Sequence, residues 1–140
     1  MVEAIIGSQF PDVVIPLIDE ARDSIKIVVF DWRWYPDQPG NPVQKFNQAL
    51  VRAVRRGVKV EAITNVTAIH GILEKQGIKA RKFSTASIVH AKLLILDERN
   101  VVCGSHNYTQ NAFTMNQEIS VLLRECHASQ YVRFYNSLLN

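Results

Sequence analysis

The chain has 140 residues, 47% of them hydrophobic and 21% charged, with a net charge of +3. Those proportions describe one domain over 1–140 that can bury roughly two thirds of its unfolded surface, and they exclude a disordered chain or a metal-dependent miniature fold. Two cysteines, Cys103 and Cys126, are too few for a disulfide framework, and no Cys–Cys or Cys–His spacing matches a zinc site, so both read as buried thiols.

No apolar run approaches the roughly 18–20 residues that span a bilayer, and the first nine residues carry no cationic segment ahead of their apolar ones. The expectation is a cytoplasmic protein with no stable membrane association; a periplasmic one would need a signal peptide removed ahead of residue 1. The modest positive charge suits an anionic partner without demanding one.

In chain order, Val13, Val14, Leu17, Ile18 and Ala21 recur at helical spacing and predict a first helix. The β-branched run 25–31 (IKIVVFD) predicts a buried strand, and three prolines with Gly40 make 32–42 a loop. Phe46, Leu50, Val51 and Val54 predict a second helix stopped by Gly57 after two arginines. A strand over 58–64, a helix over 66–75 closed by Gly77, and a strand over 78–83 follow. That alternation is the rhythm of a parallel sheet with right-handed crossovers. Beyond it the rhythm changes. The apolar runs 88–96 and 101–103, joined by Asp-Glu-Arg-Asn, predict an antiparallel hairpin, 119–123 one more strand, and Tyr131, Phe134, Tyr135 and Leu138 a closing helix. The fold class is α/β: a mixed, mostly parallel sheet flanked by helices.

The chemistry concentrates between His90 and Glu118. On a strand His90 and Lys92, one residue apart, share a face. With the hydroxyl and amide of Ser105 and Asn107 across the hairpin, that face carries groups suited to binding a phosphate.

The spacing is more specific than the residue types. His90-x-Lys92, four residues, Asp97, six residues, Gly104-Ser105-x-Asn107 resembles the signature of the phospholipase D superfamily, in its single-motif, bacterial endonuclease-like branch, and Asn116-x-Glu118 resembles its downstream acidic element. The resemblance covers nearly the whole chain and implies a phospholipase D-like half-domain that dimerises.

It further implies a mechanism. His90 would attack a phosphodiester and form a phosphohistidine, with Glu118 orienting its imidazole. Lys92 and Asn107 would bind the non-bridging oxygens, helped by Ser105 and by backbone amides around Gly104. Asp97 would hold the hairpin turn by capping local amides. One motif supplies one histidine, yet the leaving oxygen needs an acid on the far side of phosphorus. A homodimer placing two His90 rings around one phosphate supplies it, and two lysines with two asparagines leave no role for a metal or cofactor.

Other candidates are weaker. Arg81 and Lys82 could track a nucleic-acid backbone, and Trp32 with Arg33 could stack on a base and grip a phosphate. His106, at the variable motif position, could border the groove, but a structural or exposed role is the favoured reading. The expected function is a metal-independent, non-specific endonuclease acting on DNA or RNA. The alternatives are a phospholipase D-type lipid hydrolase and a nucleic-acid-binding module of a larger assembly.

Overall fold

A computed structural model describes residues 1–83 and 87–139. Its centre is a seven-stranded sheet in the order β1-β7-β6-β5-β2-β3-β4. The strands are β1 (Val2–Ile6), β2 (Ser24–Val29), β3 (Lys59–Thr64), β4 (Lys79–Ala80), β5 (Leu93–Leu96), β6 (Asn100–Gly104) and β7 (Ile119–Leu123). The helices are α1 (Phe10–Glu20), α2 (Pro42–Arg55), α3 (His70–Lys75), α4 (Gln110–Thr114) and α5 (Ser129–Ser137).

The α/β class and the flanking helices agree with expectation, but the sheet's balance lies the other way. Only β2–β3 and β3–β4 are parallel, whereas β1–β7, β7–β6, β6–β5 and β5–β2 are antiparallel. The reason is β1. Its five residues give no distinctive alternation, yet they pair along the whole of β7, from Val2 opposite Leu123 to Ile6 opposite Ile119. This contact of high sequence separation adds a strand that local pattern does not announce.

Each face of the sheet buries its own core. Leu94 and Leu96 of β5 join Ile25, Ile27, Val102 and Leu122 beneath α1 and α2, through Val14, Ile18, Phe46 and Leu50. Leu93 and Ile95 point the opposite way and pack with Val28, Ile63 and Val101 against Tyr135 of α5. Burial on both faces is why β5 reads as an unbroken apolar run instead of alternating. The buried Tyr135 hydroxyl donates to Glu61 of β3 at 2.7 Å, and Arg81 closes an ion pair with the same carboxylate at 2.8 Å. The one acidic side chain buried within β3 is therefore neutralised and hydrogen-bonded.

Capping follows the sequence closely at α2. Asn41 accepts the Val43 N–H at 2.9 Å ahead of Pro42 in the first turn, and Gly57 follows the helix at φ +93°. Two expected strands are shorter than their apolar runs: 78–83 contracts to Lys79–Ala80, and 88–96 to Leu93–Leu96.

Candidate active site

The motif residues meet at one end of the sheet, where β2 and β6 finish and β5 and β7 begin. His90 and Lys92 lie on the segment entering β5, not within the strand. Two anchors align it. The Gly104 N–H donates to the Lys92 carbonyl at 3.3 Å, and Asn65, just past β3, pairs its side-chain amide with both the N–H and the carbonyl of Val89. Asn65 thus acts as a one-residue strand beside the exposed His90. Sequence reading missed it, because an isolated asparagine after a strand looks like any turn residue.

The Lys92 ammonium stands 3.3 Å from each ring nitrogen of His90 and 5.8 Å above the ring of Phe30, which also packs against His90 with 5.2 Å between centroids. Burial pushes the Lys92 ammonium below the usual lysine range, and the nearby charge of Glu118 opposes the shift. A cation and an imidazole are therefore held side by side over an aromatic ring, open to solvent above.

The corner after β6 supplies the hydroxyl and amides. Gly104 is required by close approach: a Cβ there would run into the Cα of Ser120 and lie 2.5 Å from the Ile119 carbonyl oxygen. Ser105 donates its hydroxyl to Glu118 at 2.5 Å and accepts the Ile119 N–H at 3.0 Å, and the Asn116 amide donates to the other Glu118 oxygen at 3.1 Å. Asn107 accepts the Asp31 N–H through Oδ1 at 3.1 Å, which leaves its NH2 as the uncommitted donor.

His106, between them, is buried. A backbone carbonyl can only accept, so Nε2–H donates to Gly7 at 2.9 Å and Nδ1 accepts the Ser120 hydroxyl at 2.7 Å, while the ring stacks 4.5 Å from Phe10. Burial lowers its pKa, against the Gly7 hydrogen bond and the charge of Glu118. The ring is a structural tie between the motif and the β1–α1 corner.

Several expectations need correction. Glu118 does not hold His90 within the chain; both its oxygens are engaged by Ser105 and Asn116. Trp32 cannot stack on a base. It is buried, edge-on to Tyr108, with its indole N–H donating to Asn47 at 2.8 Å. Arg81 is taken up by Glu61, whereas Lys82 is exposed. Asp97 does hold the hairpin tip, but the amides it accepts are those of Arg22, Asp23 and Ser24, some 75 residues away. Arg33 is where a ligand could meet it, its side chain 57% exposed and paired with Asp31 at 2.9 Å. Cys103 and Cys126 are free thiols, but half-buried and not fully buried as expected.

An exposed imidazole, an adjacent ammonium, a hydroxyl–carboxylate pair and an amide with a free NH2 converge on one patch, the grouping of the phospholipase D signature. Comparison with known proteins agrees. Residues 14–137 match the family described as cardiolipin synthase, PLD-like domain. The chain belongs to the phospholipase D superfamily.

Among curated relatives, human mitochondrial cardiolipin hydrolase is 31% identical over 121 residues, covering 82% of this chain and 43% of that protein. The chain thus spans under half the length of that relative. Among solved structures, the phospholipase D family member Nuc from Salmonella typhimurium superposes with a TM-score of 0.81 at 24% identity, covering 99% of this chain and 94% of the other. NucT from Helicobacter pylori gives 0.77 at 19% identity with the same coverage.

Proposed function

We propose that this chain is a phosphodiesterase that cleaves nucleic acid through a phosphohistidine, without a metal, in a site shared by two copies. The observation that carries the reading is the convergence of His90, Lys92, Ser105, Asn107 and Glu118 at one end of the sheet, with a single exposed histidine among them. One ring nitrogen of His90 attacks phosphorus as the P–O bond to the leaving group breaks. The His90 ring of the second copy gives that oxygen its proton, then takes a proton from a water that attacks phosphorus, so that the P–N bond breaks, its electron pair returns to the first His90 ring and a phosphomonoester leaves. Lys92 and the Asn107 NH2 stabilise charge on the non-bridging oxygens. The carboxylate that orients His90 is Glu118 of the second copy, whose two oxygens keep lone pairs beyond those taken by Ser105 and Asn116.

The surface beside the motif supports pairing. Ile6 and Ile119, opposite each other on β1 and β7, are 55% and 57% exposed, and Met115 is 73% exposed. Ile119 donates its N–H to Ser105, so this apolar patch abuts the site that a second copy would complete.

A second reading, hydrolysis of a lipid phosphodiester, is favoured by the similarity to mitochondrial cardiolipin hydrolase. No helix among the described residues is long and apolar enough to cross a membrane.

Wild type and His90→Ala are compared on plasmid, single-stranded DNA, RNA and cardiolipin-containing vesicles in excess EDTA. Polynucleotide cleavage by wild type alone, with at least about 1,000-fold loss in the variant, is the expected result. Vesicle turnover with no cleavage of polynucleotide replaces this reading with the lipid one, and loss of all activity in EDTA removes the metal-free mechanism.

A further inference from the structure

Next to the motif the surface opens into a groove of about 670 Å³ bordered by the ion pair of Asp31 and Arg33, by Tyr35 and Thr109, and by the amides of Asn107, Gln110, Asn111 and Asn116. Asn107 belongs to both, so the groove starts where the phosphate would sit.

What the groove can bind follows from which atoms are already committed. Gln110 spends its carbonyl oxygen on the Asn41 amide at 3.1 Å, which leaves its NH2 to donate. Asn116 spends its NH2 on Glu118, which leaves its oxygen to accept. Asn107 keeps its NH2, as shown above, and the Asn111 side chain is exposed. Arg33 is held from one side by Asp31 with the rest of its guanidinium toward solvent. Tyr35, half-buried, has its backbone pinned by Gln44 at 2.8 Å. Among the described residues no Ala, Val, Leu or Ile side chain borders the groove.

An acyl chain or glyceride laid here would cover hydrated amides with hydrocarbon and leave them unpaired, which is unfavourable for each group so covered. A nucleoside has what the lining lacks: ring and hydroxyl donors and acceptors for the amides of Gln110, Asn111 and Asn116, and a flat π-face for Tyr35. The next phosphate along the chain would fall to Arg33. We infer that this groove is a nucleoside subsite, holding the nucleoside attached to the scissile phosphate. The inference rests on the phosphodiesterase reading above and adds to it the class of group recognised beside the phosphate.

The test uses ligands that are not cleaved. Amide resonances of the ¹⁵N-labelled full chain are followed on titration with thymidine 5′-monophosphate, glycerol 3-phosphate and inorganic phosphate. The nucleotide should bind about fivefold or more tightly than glycerol phosphate, with shifts at Arg33, Tyr35 and Asn111 that inorganic phosphate does not produce. Asn111→Ala, at an exposed position, should erase most of that advantage; Gln110→Ala provides a second variant.

Equal or tighter binding of glycerol phosphate, or nucleotide shifts confined to His90 and Lys92, overturns the subsite. Because the readout is binding, the two readings fail separately. Cleavage of polynucleotide with no nucleoside preference sinks the subsite alone, while nucleoside preference without cleavage keeps the subsite and sinks the nuclease.

Discussion

Gly104 shows how a motif residue can be set by packing instead of chemistry. Strands β6 and β7 come so close at the Gly104–Ser120 pair that only a hydrogen fits where a side chain would begin, and the obstacle is backbone, which cannot swing aside. Gly104→Ala should cost about 3 kcal/mol, read as a fall in melting temperature on the order of 10 °C. A melting temperature within a degree of wild type would mean the strands part easily. Ser105 and His106 share the logic: each is placed by a hydrogen bond to β7, so moving β7 disturbs the site through both.

At the scale of the element, the β5–β6 hairpin is fastened at its tip. Asp97 and Glu98 both sit at positive φ, 55° and 53°, a conformation tight hairpin turns use and aspartate tolerates better than most side chains. The Asp97 carboxylate then reaches three successive amides at the start of β2, fixing the register between a local hairpin and a distant strand. Partial burial pushes its pKa up, but the amides of Asp23, Ser24 and Arg22 and the charge of Arg99 outweigh that and hold the carboxyl below its usual value.

The native pKa is thus below the unfolded one, near about 3.9, so between the two values the unfolded chain binds the extra proton. The stabilisation is complete above about pH 4 and lost as pH falls through the native value. Asp97→Asn should therefore destabilise the fold by about 1–2 kcal/mol at pH 7, allowing for solvent at this partly exposed turn, and the gap in denaturant midpoints should be smaller at pH 3 than at pH 7. An equal gap at both pH values would assign the effect to the turn's shape.

At the scale of the molecule, the sheet delivers the site to one end and leaves an apolar patch beside it. Ile119→Asp places a charge in that patch. Sedimentation should shift from dimer to monomer, with polynucleotide cleavage falling at least about tenfold, since each copy then lacks the second His90. A fully active monomer would refute the shared site.

The architecture was legible where periodicity is local and strong. The α2 apolar stripe with its Gly57 stop, the β2, β3 and β7 runs, and the fold family carried by the spacing of the motif residues could all be read from the chain, because each depends on steps of a few residues. What lay outside such reading shares one cause. The pairing of β1 with β7, the pinning of Val89 by Asn65, the retreat of Trp32 into the core against Tyr108 and Asn47, and the capture of Arg81 by Glu61 join residues far apart in sequence. A tryptophan beside an arginine reads equally well as a base-stacking platform or as a core plug. Its place is decided when Tyr108 and α2 close over it, because burying a large apolar ring with its one N–H satisfied is more favourable than leaving it in water. Local spacing determined which groups exist and in what order; long-range packing decided which of them face the solvent.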